Sequence, residues 1–278
     1  MTKNFSYQSN ISAFAQIFLQ VFLIFLTSIG FFYFFSSINQ FNFVFYVLSI
    51  IFIGTRMRAL GNMMHECSHF SFVQNKKWNI FFGRLISIFD LSSFREYQIS
   101  HKMHHKYLGV AGKDIDFDKY LQLVKPYQDK KIFHNSFVLF MFIVFNPLNW
   151  IYYVRTNLMI KEKNKLIFIL IIGIFLFLHP YKVLTFFLVP YFTSYQAMKI
   201  ASDFLDHHKV YFNKEIFFKT RNHCFKNKIL NLIFFPRNDA YHLVHHMHPN
   251  TPVGELDKIH TLLLANNTTY SRRKHDLF

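Results

Sequence analysis

Histidines in three short spacings are the residues of this chain best suited to chemistry. The chain has 16 His, of which eight form one His-x-x-x-His pair and two His-x-x-His-His triplets. On a helix, residues three and four apart share one face, so each group can aim its imidazoles at one point. Imidazole suits iron, zinc and copper better than magnesium or calcium. The pattern therefore predicts a metal site formed by His65, His69, His101, His104, His105, His242, His245 and His246.

The number of imidazoles helps to choose the metal. Zinc usually takes four ligands in a structural site, and a catalytic zinc takes three from the protein. Eight imidazoles exceed that need and fit two metal ions of higher coordination, each of which keeps an open position. This set indicates iron and oxygen chemistry, with neutral nitrogen donors in place of the carboxylates that dominate di-iron sites in soluble four-helix bundles.

Two other classes of function compete with this interpretation. The segment His65-Glu66-Cys67-Ser68-His69 also matches H-E-x-x-H, in which two His bind zinc and Glu66 would be the general base of an intramembrane zinc metalloprotease. That enzyme needs one further ligand and leaves both triplets without a role. A nonenzymatic metal-binding protein or chaperone is the third interpretation. Metal analysis and oxygen consumption distinguish the three.

The composition is typical of a membrane protein. Among 278 residues, 52% are hydrophobic and 20% aromatic, whereas 17% are charged. These values exclude a disordered chain, a collagen and an ordinary soluble domain, and two Cys exclude a disulfide framework. The net charge of +16 favours anionic lipid headgroups or acidic proteins as partners, and we expect no nucleic acid.

The longest apolar run predicts a hairpin of two membrane spans. Residues 4–55 contain no Asp, Glu, Lys, Arg or His, and a helix needs about 20 residues to cross the hydrocarbon core. We predict spans at residues 11–35 and 41–64, joined by the polar residues 36–40. Arg56 and Arg58 are expected to extend toward the interface where the second span leaves the bilayer.

A second apolar block at residues 165–199 is broken by His179-Pro180-Tyr181-Lys182 and predicts another hairpin of two short spans. Segments 79–94 and 132–154 are ambiguous. If segment 132–154 also crossed, the histidine groups would face opposite compartments or the connecting Lys and Arg would be exported. The cytoplasmic excess of Lys and Arg in membrane proteins therefore favours four spans, with both segments interfacial or re-entrant.

The predicted fold is thus an all-α, multi-pass integral membrane protein with one domain over residues 1–278. Two hairpins supply four transmembrane helices, and interfacial helices and a cytosolic helical cap complete the structure. The His-rich site would lie in that cap on the cytoplasmic face, at the inner membrane if the protein is bacterial.

The three histidine groups and the residues that flank them resemble the histidine boxes of the membrane fatty acid desaturases. The resemblance runs from about residue 58 to 264 and includes Asp206-His207 after the second hairpin, similar to an acidic-residue-plus-His element ahead of the third box in that family. The segments that carry it are His65-Glu66-Cys67-Ser68-His69, His101-Lys102-Met103-His104-His105 followed by Asp114-Ile115-Asp116, and residues 238–249, which read NDAYHLVHHMHP.

The resemblance implies a cap that holds two non-haem irons, with the eight box histidines and His207 as ligands. It also implies O2 as co-substrate and a fatty acyl substrate, delivered as a thioester or in a lipid. The superfamily includes hydroxylases, ketolases and decarboxylases, so a hydroxylase or another oxygenase is the alternative to a desaturase. Departures from the common pattern bear on the substrate: Met247-His248-Pro249 replaces the usual Leu-Phe-Pro, and Leu108-Gly109 replaces a polar pair.

The electrons for such a reaction must come from another protein. The chain has no Gly-rich dinucleotide loop, no Cys set for an iron–sulfur cluster and no His-Pro-Gly-Gly haem element. A separate donor of the ferredoxin or cytochrome type is therefore expected, and an acidic donor would suit the basic cap.

Asp203 and Asp206 are the candidate supports for the ligands. Asp203 lies one helical turn before His207, so we expect its carboxylate to accept a hydrogen bond from the far nitrogen of that ring. Direct metal binding and a solvated acid beside Lys199 are the alternatives. The remaining His are expected to lie outside the site, at segment ends, turned away or solvated: His134, His179, His208, His223, His260 and His275. The sequence does not assign a role to His248, and Cys67 and Cys224 are expected to be packing residues rather than metal ligands.

Overall fold

The computed structural model describes residues 5–158, 163–273 and 275, and the regular structure of these residues is helical. Two long helices come first, α1 (Asn10–Phe34) and α2 (Phe43–Ser68). They are followed by α3 (Lys76–Phe89), α4 (Phe94–Tyr107), α5 (Ile115–Val124), α6 (Ser136–Val144), α7 (Pro147–Asn157), α8 (Lys163–Leu178), α9 (Pro180–Val183), α10 (Val189–Phe192), α11 (Ser194–His207), α12 (Lys228–Phe234), α13 (His242–Met247), α14 (Leu256–Asn266) and α15 (Thr268–Ser271).

The first predicted hairpin is present. Helices α1 and α2 have 25 and 26 residues, and both are long and apolar enough to cross a membrane. The polar turn between them is closed by Asn42, whose amide donates to the Ser37 carbonyl at 2.8 Å. Helix α2 continues four residues beyond the predicted end, and this extension places the first histidine box on its last turn.

The second hairpin is less regular than the sequence predicts. Helix α8 has 16 residues, and the returning arm consists of α9, a π-helical turn at Leu184–Leu188, α10 and α11. The Tyr181 hydroxyl accepts a hydrogen bond from the Ile38 amide at 3.0 Å, so the turns of the two hairpins lie side by side. In the described part of the chain, two helices satisfy the length and composition of a span. Four spans therefore stay a proposal.

Segment 132–154 forms two short helices rather than one. Helices α6 and α7 meet at an angle of 64°, the geometry of a broken span or a re-entrant segment. The Asn146 side chain accepts from the Leu148 amide, and Pro147 occupies the first turn of α7. A side-chain cap followed by proline starts a new helix, which explains the break.

The prediction that Arg56 and Arg58 extend toward the lipid interface is wrong. Arg56 is 8% exposed and donates to the Leu232 and Ile233 carbonyls at 3.4 Å. Arg58 forms an ion pair with Asp239 at 2.9 Å. Both guanidinium groups face the C-terminal segment because that segment packs across the end of α2. They therefore tie the helix of the first histidine box to the segment that carries the third.

Helix α2 is the central packing element. Its residues Leu60, Met63 and Cys67 form a buried cluster with Ala13 of α1 and Phe82 of α3. On another face α2 packs against α11. The packing of Cys67 agrees with its sequence interpretation. Because α2 and α11 both end at predicted ligands, their contact fixes where the site lies.

Candidate metal centre

The structure brings all nine predicted histidines together, in two groups. The five-histidine group consists of His65, His69, His101, His105 and His245, and the four-histidine group of His104, His207, His242 and His246. Within each group the nitrogen atoms that could bind a metal lie within 4.8 Å of one another. The arrangement has the form of two adjacent metal sites.

Each triplet divides its histidines between the two groups. On α4, His101 and His105 are one turn apart and belong to the five-histidine group, whereas His104 belongs to the other. On α13, His242 and His246 belong to the four-histidine group, and His245 belongs to the five-histidine group. Residues i and i+4 share a face and residue i+3 points to its side. A His-x-x-His-His spacing can therefore serve two metals at once.

The ring nitrogens point inward and lie very close together. In the five-histidine group, Nε2 of His101 lies 2.8 Å from Nε2 of His65 and 3.1 Å from Nε2 of His105. In the four-histidine group, Nε2 of His242 lies 3.2 Å from Nε2 of His207 and 3.0 Å from Nε2 of His246. Lone pairs that converge in this way repel unless a cation or proton lies between them.

One buried ring atom supports the fit of a metal directly. Nε2 of His69 is buried and has no hydrogen-bond partner among the described residues. A buried polar atom without a partner is costly and calls for an explanation. A metal ion bound by the five-histidine group would supply that partner, and imidazole is a suitable donor for iron.

The outward nitrogens of several rings contact acceptors. Nδ1 of His104 lies 2.9 Å from Asp114 Oδ1, and Nδ1 of His207 lies 2.9 Å from the Lys219 carbonyl. Nδ1 of His242 lies 3.6 Å from Asp206. An acceptor at Nδ1 fixes the proton there and leaves the Nε2 lone pair free to bind a metal.

The expectation that Asp203 orients His207 is wrong. Asp203 accepts a hydrogen bond from the Tyr153 hydroxyl at 2.9 Å, and the Lys219 carbonyl takes the place expected for its carboxylate. The chain leaves α11 through Lys209, which has a φ of 65°, and folds back so that Lys219 reaches His207. Asp206, by contrast, lies between Nδ1 of His242 at 3.6 Å and Nδ1 of His223 at 3.1 Å.

Burial favours the neutral, metal-binding form of most of these rings. It lowers the pKa of His101, His207 and His245 well below the usual value. His104 differs: burial lowers its pKa, but the hydrogen bond that Asp114 accepts from the ring and the charges of Asp114 and Asp116 together outweigh burial and raise the pKa. Burial also raises the pKa of Asp206 to about 6, against the opposing effect of His223.

Several histidines outside the boxes differ from expectation. His223 and His275, predicted to be solvated, are 1% and 8% exposed. His260 lies 2.6 Å from the Tyr270 hydroxyl and is partly buried. His208 is turned away from the ligands as expected, with Nδ1 3.0 Å from the Tyr120 hydroxyl. No spacing pattern marks His223, so sequence reasoning missed its contact with Asp206.

The Glu66 carboxylate, the general base in the protease interpretation, is already paired. Both of its oxygens accept hydrogen bonds from Arg237, and the Nη2–Oε2 distance is 2.7 Å. An ion-paired carboxylate is a poor base. Together with the two histidine groups, this pairing argues against a single zinc site built on His65 and His69.

Comparison with known proteins agrees with the site. The family model described as fatty acid desaturase matches residues 41–276. Dihydrorhizobitoxine desaturase of Bradyrhizobium elkanii is 28% identical over 237 residues, which are 77% of this chain and 66% of that protein. Acyl-lipid (8-3)-desaturase of Mortierella alpina is 29% identical over 126 residues, covering 40% of this chain and 28% of that protein.

A plant relative matches over a shorter region. The chloroplastic omega-3 fatty acid desaturase of Glycine max is 38% identical over 61 residues, which are 22% of this chain and 14% of that protein. The chain thus covers less than two thirds of the length of each of these relatives. The family match covers most of the chain, including all nine histidines, and the chain therefore belongs to the fatty acid desaturase family.

Proposed function

We propose that this protein is a membrane-bound, oxygen-dependent desaturase that introduces a C=C bond into an acyl chain. In this reaction –CH2–CH2– becomes –CH=CH– and loses two hydrogens. O2 takes up those hydrogens with two further electrons and two protons, and two molecules of water form. The observation that carries the proposal is the pair of histidine groups assembled from all three boxes and His207.

Two irons are the metals we assign to these groups, five histidines around one and four around the other. Bound iron would supply the activation of O2 that breaks an unactivated C–H bond, which acid–base side chains cannot do. The chain's own residues bind and orient. Asp114 and the Lys219 carbonyl hold the proton at Nδ1 of His104 and His207, and burial of His101 and His104 keeps bulk water away.

Family membership supports an acyl substrate, and the electron donor and lipid partners belong to the proposal. A fatty acyl group, as a thioester or in a lipid, is the substrate class, and two of the relatives described above are named for fatty acids or acyl-lipids. A ferredoxin or cytochrome would supply the electrons. The net charge of +16 favours an acidic donor and contact with anionic lipids. We place the protein in a membrane as a multi-pass protein with its site on the cytoplasmic face.

Iron analysis and lipid profiling test the proposal. The purified protein should hold about two irons per chain, and expression in a host of defined fatty acids should give a product lighter by two hydrogens. His101→Ala and His245→Ala should lose iron and product together, whereas His134→Ala, at an exposed position, should resemble wild type. Full activity of either ligand variant, or one zinc without iron, would exclude the proposed site. A product heavier by one oxygen would indicate a hydroxylase.

A further inference from the structure

Helix α12 (Lys228–Phe234), which precedes the third histidine box, exposes an apolar face. None of its seven residues is buried. Ile229 and Leu232 lie three positions apart and therefore share one face of the helix, and they are 66% and 65% exposed. Leu230, between them, is also exposed. Adjacent large aliphatic side chains on an outer surface indicate a face that contacts an apolar partner or a membrane.

The contacts of Arg56 place α12 beside the membrane helices. Arg56 of α2 donates to the Leu232 and Ile233 carbonyls at 3.4 Å and to the Gln20 side chain of α1 at 3.3 Å. It lies about 20 Å along the helix from Phe43, where α2 begins, because a helix rises about 1.5 Å per residue. The hydrocarbon core is about 30 Å thick. If α2 enters the core at Phe43, Arg56 lies inside it, about 10 Å from the edge nearer the histidine groups.

The outer surface of α1 supports the same depth. Gln20, which contacts Arg56, lies within α1. Large apolar side chains are exposed on both sides of Gln20, at Ile11 and Phe18 toward the start of the helix and at Phe25 toward its end. A lipid-facing surface therefore extends beyond the level of Gln20 and Arg56. The end of α12 that Arg56 holds lies at a level where the neighbouring helix faces hydrocarbon.

A segment that enters hydrocarbon must satisfy its own backbone polar groups, and both ends of α12 meet this condition. At the start, the Asn227 side chain accepts from two amides of the first turn at 2.8 and 3.3 Å. The Asn231 side chain accepts from the Phe225 amide at 2.7 Å and donates to the Phe225 carbonyl at 2.6 Å. At the end, Arg56 supplies donors for two carbonyls. Water is not needed to complete these hydrogen bonds.

The charges beside the apolar face fit the surface of a membrane. Lys226 and Lys228 are exposed directly before Ile229, and residues 225–235 contain no Asp or Glu. Lysines beside an apolar face are typical of interfacial helices, whose apolar side enters the bilayer by about 5 to 10 Å. That depth agrees with the level of Arg56. Cationic side chains at the boundary attract anionic lipid headgroups.

We propose that α12 is an interfacial helix inserted into the bilayer leaflet on the side of the histidine groups. Ile229 and Leu232 contact the acyl chains of that leaflet, and Lys226 and Lys228 bind anionic headgroups. This inference rests on the membrane placement in the proposed function. It goes beyond that placement because the expected cytosolic cap then enters the membrane through its C-terminal part, and lipid contact helps to position the segment that leads into the third box.

Fluorescence quenching of the iron-loaded protein in vesicles tests the depth of α12. Cys67 and Cys224 are buried, so a thiol-reactive fluorophore should attach to a cysteine introduced as Ile229→Cys or Leu232→Cys, with the unsubstituted protein as the labelling control. A lipid that carries a nitroxide on its acyl chain should quench the fluorophore at both positions. Iodide in the aqueous phase should quench neither.

Phe18→Cys and Val110→Cys are the controls for lipid and water. Phe18 is exposed on α1 and should be quenched by the lipid nitroxide, whereas Val110 is exposed in the turn after α4 and should be quenched by iodide alone. If Phe18→Cys is quenched by iodide alone, the membrane placement fails and the inference fails with it. If Phe18→Cys contacts lipid but Leu232→Cys is quenched by iodide, only the inference is refuted. Protection of Leu232→Cys from both quenchers would also refute it, because another protein would then cover α12.

The lipid headgroup is tested with the fluorophore at Leu232→Cys in vesicles of equal parts phosphatidylglycerol and phosphatidylcholine. One of the two lipids carries the nitroxide. Each lysine near an anionic surface contributes about a 5-fold preference, so labelled phosphatidylglycerol should quench more strongly than labelled phosphatidylcholine. Lys226→Gln with Lys228→Gln should remove most of this difference.

Lys106→Gln with Lys113→Gln is the matched control, because it removes two charges on and after the last turn of α4. This control should leave the difference between the two lipids unchanged. Equal quenching by both lipids, or an undiminished difference in Lys226→Gln with Lys228→Gln, would refute the assignment of anionic headgroups to these lysines.

Discussion

Replacement of Asp114 by Ala is the sharpest test of how His104 of the second box, a proposed metal ligand, is held in place. The Asp114 side chain is fully buried, at 0% exposure. Its Oδ1 contacts His104 Nδ1 at 2.9 Å and the Asp116 and Phe117 amides at 3.1 Å, and Oδ2 accepts from the Gly109 amide at 2.8 Å. One carboxylate thus caps α5, orients His104 and fixes the turn after α4.

Each contact has its own cost when it is lost. The helix cap is worth about 1 kcal/mol. The His104 and Gly109 N–H groups would be left buried without an acceptor, which costs about 1 to 3 kcal/mol each. Loss of an acceptor behind a metal-binding imidazole lowers metal affinity by about 10- to 100-fold. We therefore expect Asp114→Ala to lower stability by several kcal/mol and to lose iron.

Iron content and thermal unfolding in detergent measure the two effects. Asn227→Ala is the matched control, because Asn227 caps α12 by accepting from the Ile229 amide at 2.8 Å and has no metal ligand beside it. This control should lower the unfolding temperature while iron per chain stays at the wild-type level. If Asp114→Ala lost no more iron than Asn227→Ala, the assigned role of Asp114 at His104 would be refuted.

Three further predictions concern the ion pair, the metal and the topology. Removal of Arg58 or Asp239 alone should lower the free energy of unfolding by about 3 to 5 kcal/mol, since it leaves a buried charge without its partner. In denaturant unfolding, the double variant Arg58→Met with Asp239→Leu should lose less than either single variant. A loss in the double variant equal to the sum of the two single losses would contradict this coupling. Chelation of iron should lower the unfolding temperature, because metal binds the folded state, and an unchanged temperature would argue against the site. Asn39, in the turn of the first hairpin, and Asp129, on the proposed cytoplasmic side, are both exposed positions. In right-side-out vesicles an impermeant maleimide should therefore label Asn39→Cys but not Asp129→Cys. The reverse labelling would show that the proposed orientation is inverted.

The sequence was sufficient to predict which histidines of each box share a face, because helical spacing is a local property. His101 and His105, or His242 and His246, share a face whatever the rest of the chain does. The acceptors behind the rings were harder to predict. Asp114 follows its box closely, but Lys219 serves His207 through a backbone carbonyl, which any residue could provide, and side-chain type therefore gives no signal.

Partners that lie far apart in the sequence were not predictable either, because local spacing does not show which distant residues meet. Arg58 and Asp239 are 181 residues apart, and the apolar run before Arg58 made an interfacial position the simplest expectation. The irregular second hairpin likewise reflects the π-helical turn at Leu184–Leu188, which hydropathy alone does not reveal. Mean hydropathy locates apolar segments, whereas tertiary packing decides which of them remain single straight helices.

The polar residues of the boxes that are not ligands hold the ligand-bearing segments together. Glu66 of the first box pairs with Arg237, directly before the third box, and Arg58 near the first box pairs with Asp239 within the third. Arg237 has a φ of 66°, a left-handed conformation that costs a residue with a Cβ about 1 kcal/mol or more unless contacts fix it. The ion pair with Glu66 supplies such contacts. The H-E-x-x-H match is therefore explained without a general base, since the glutamate between the two histidines positions the histidines of another box.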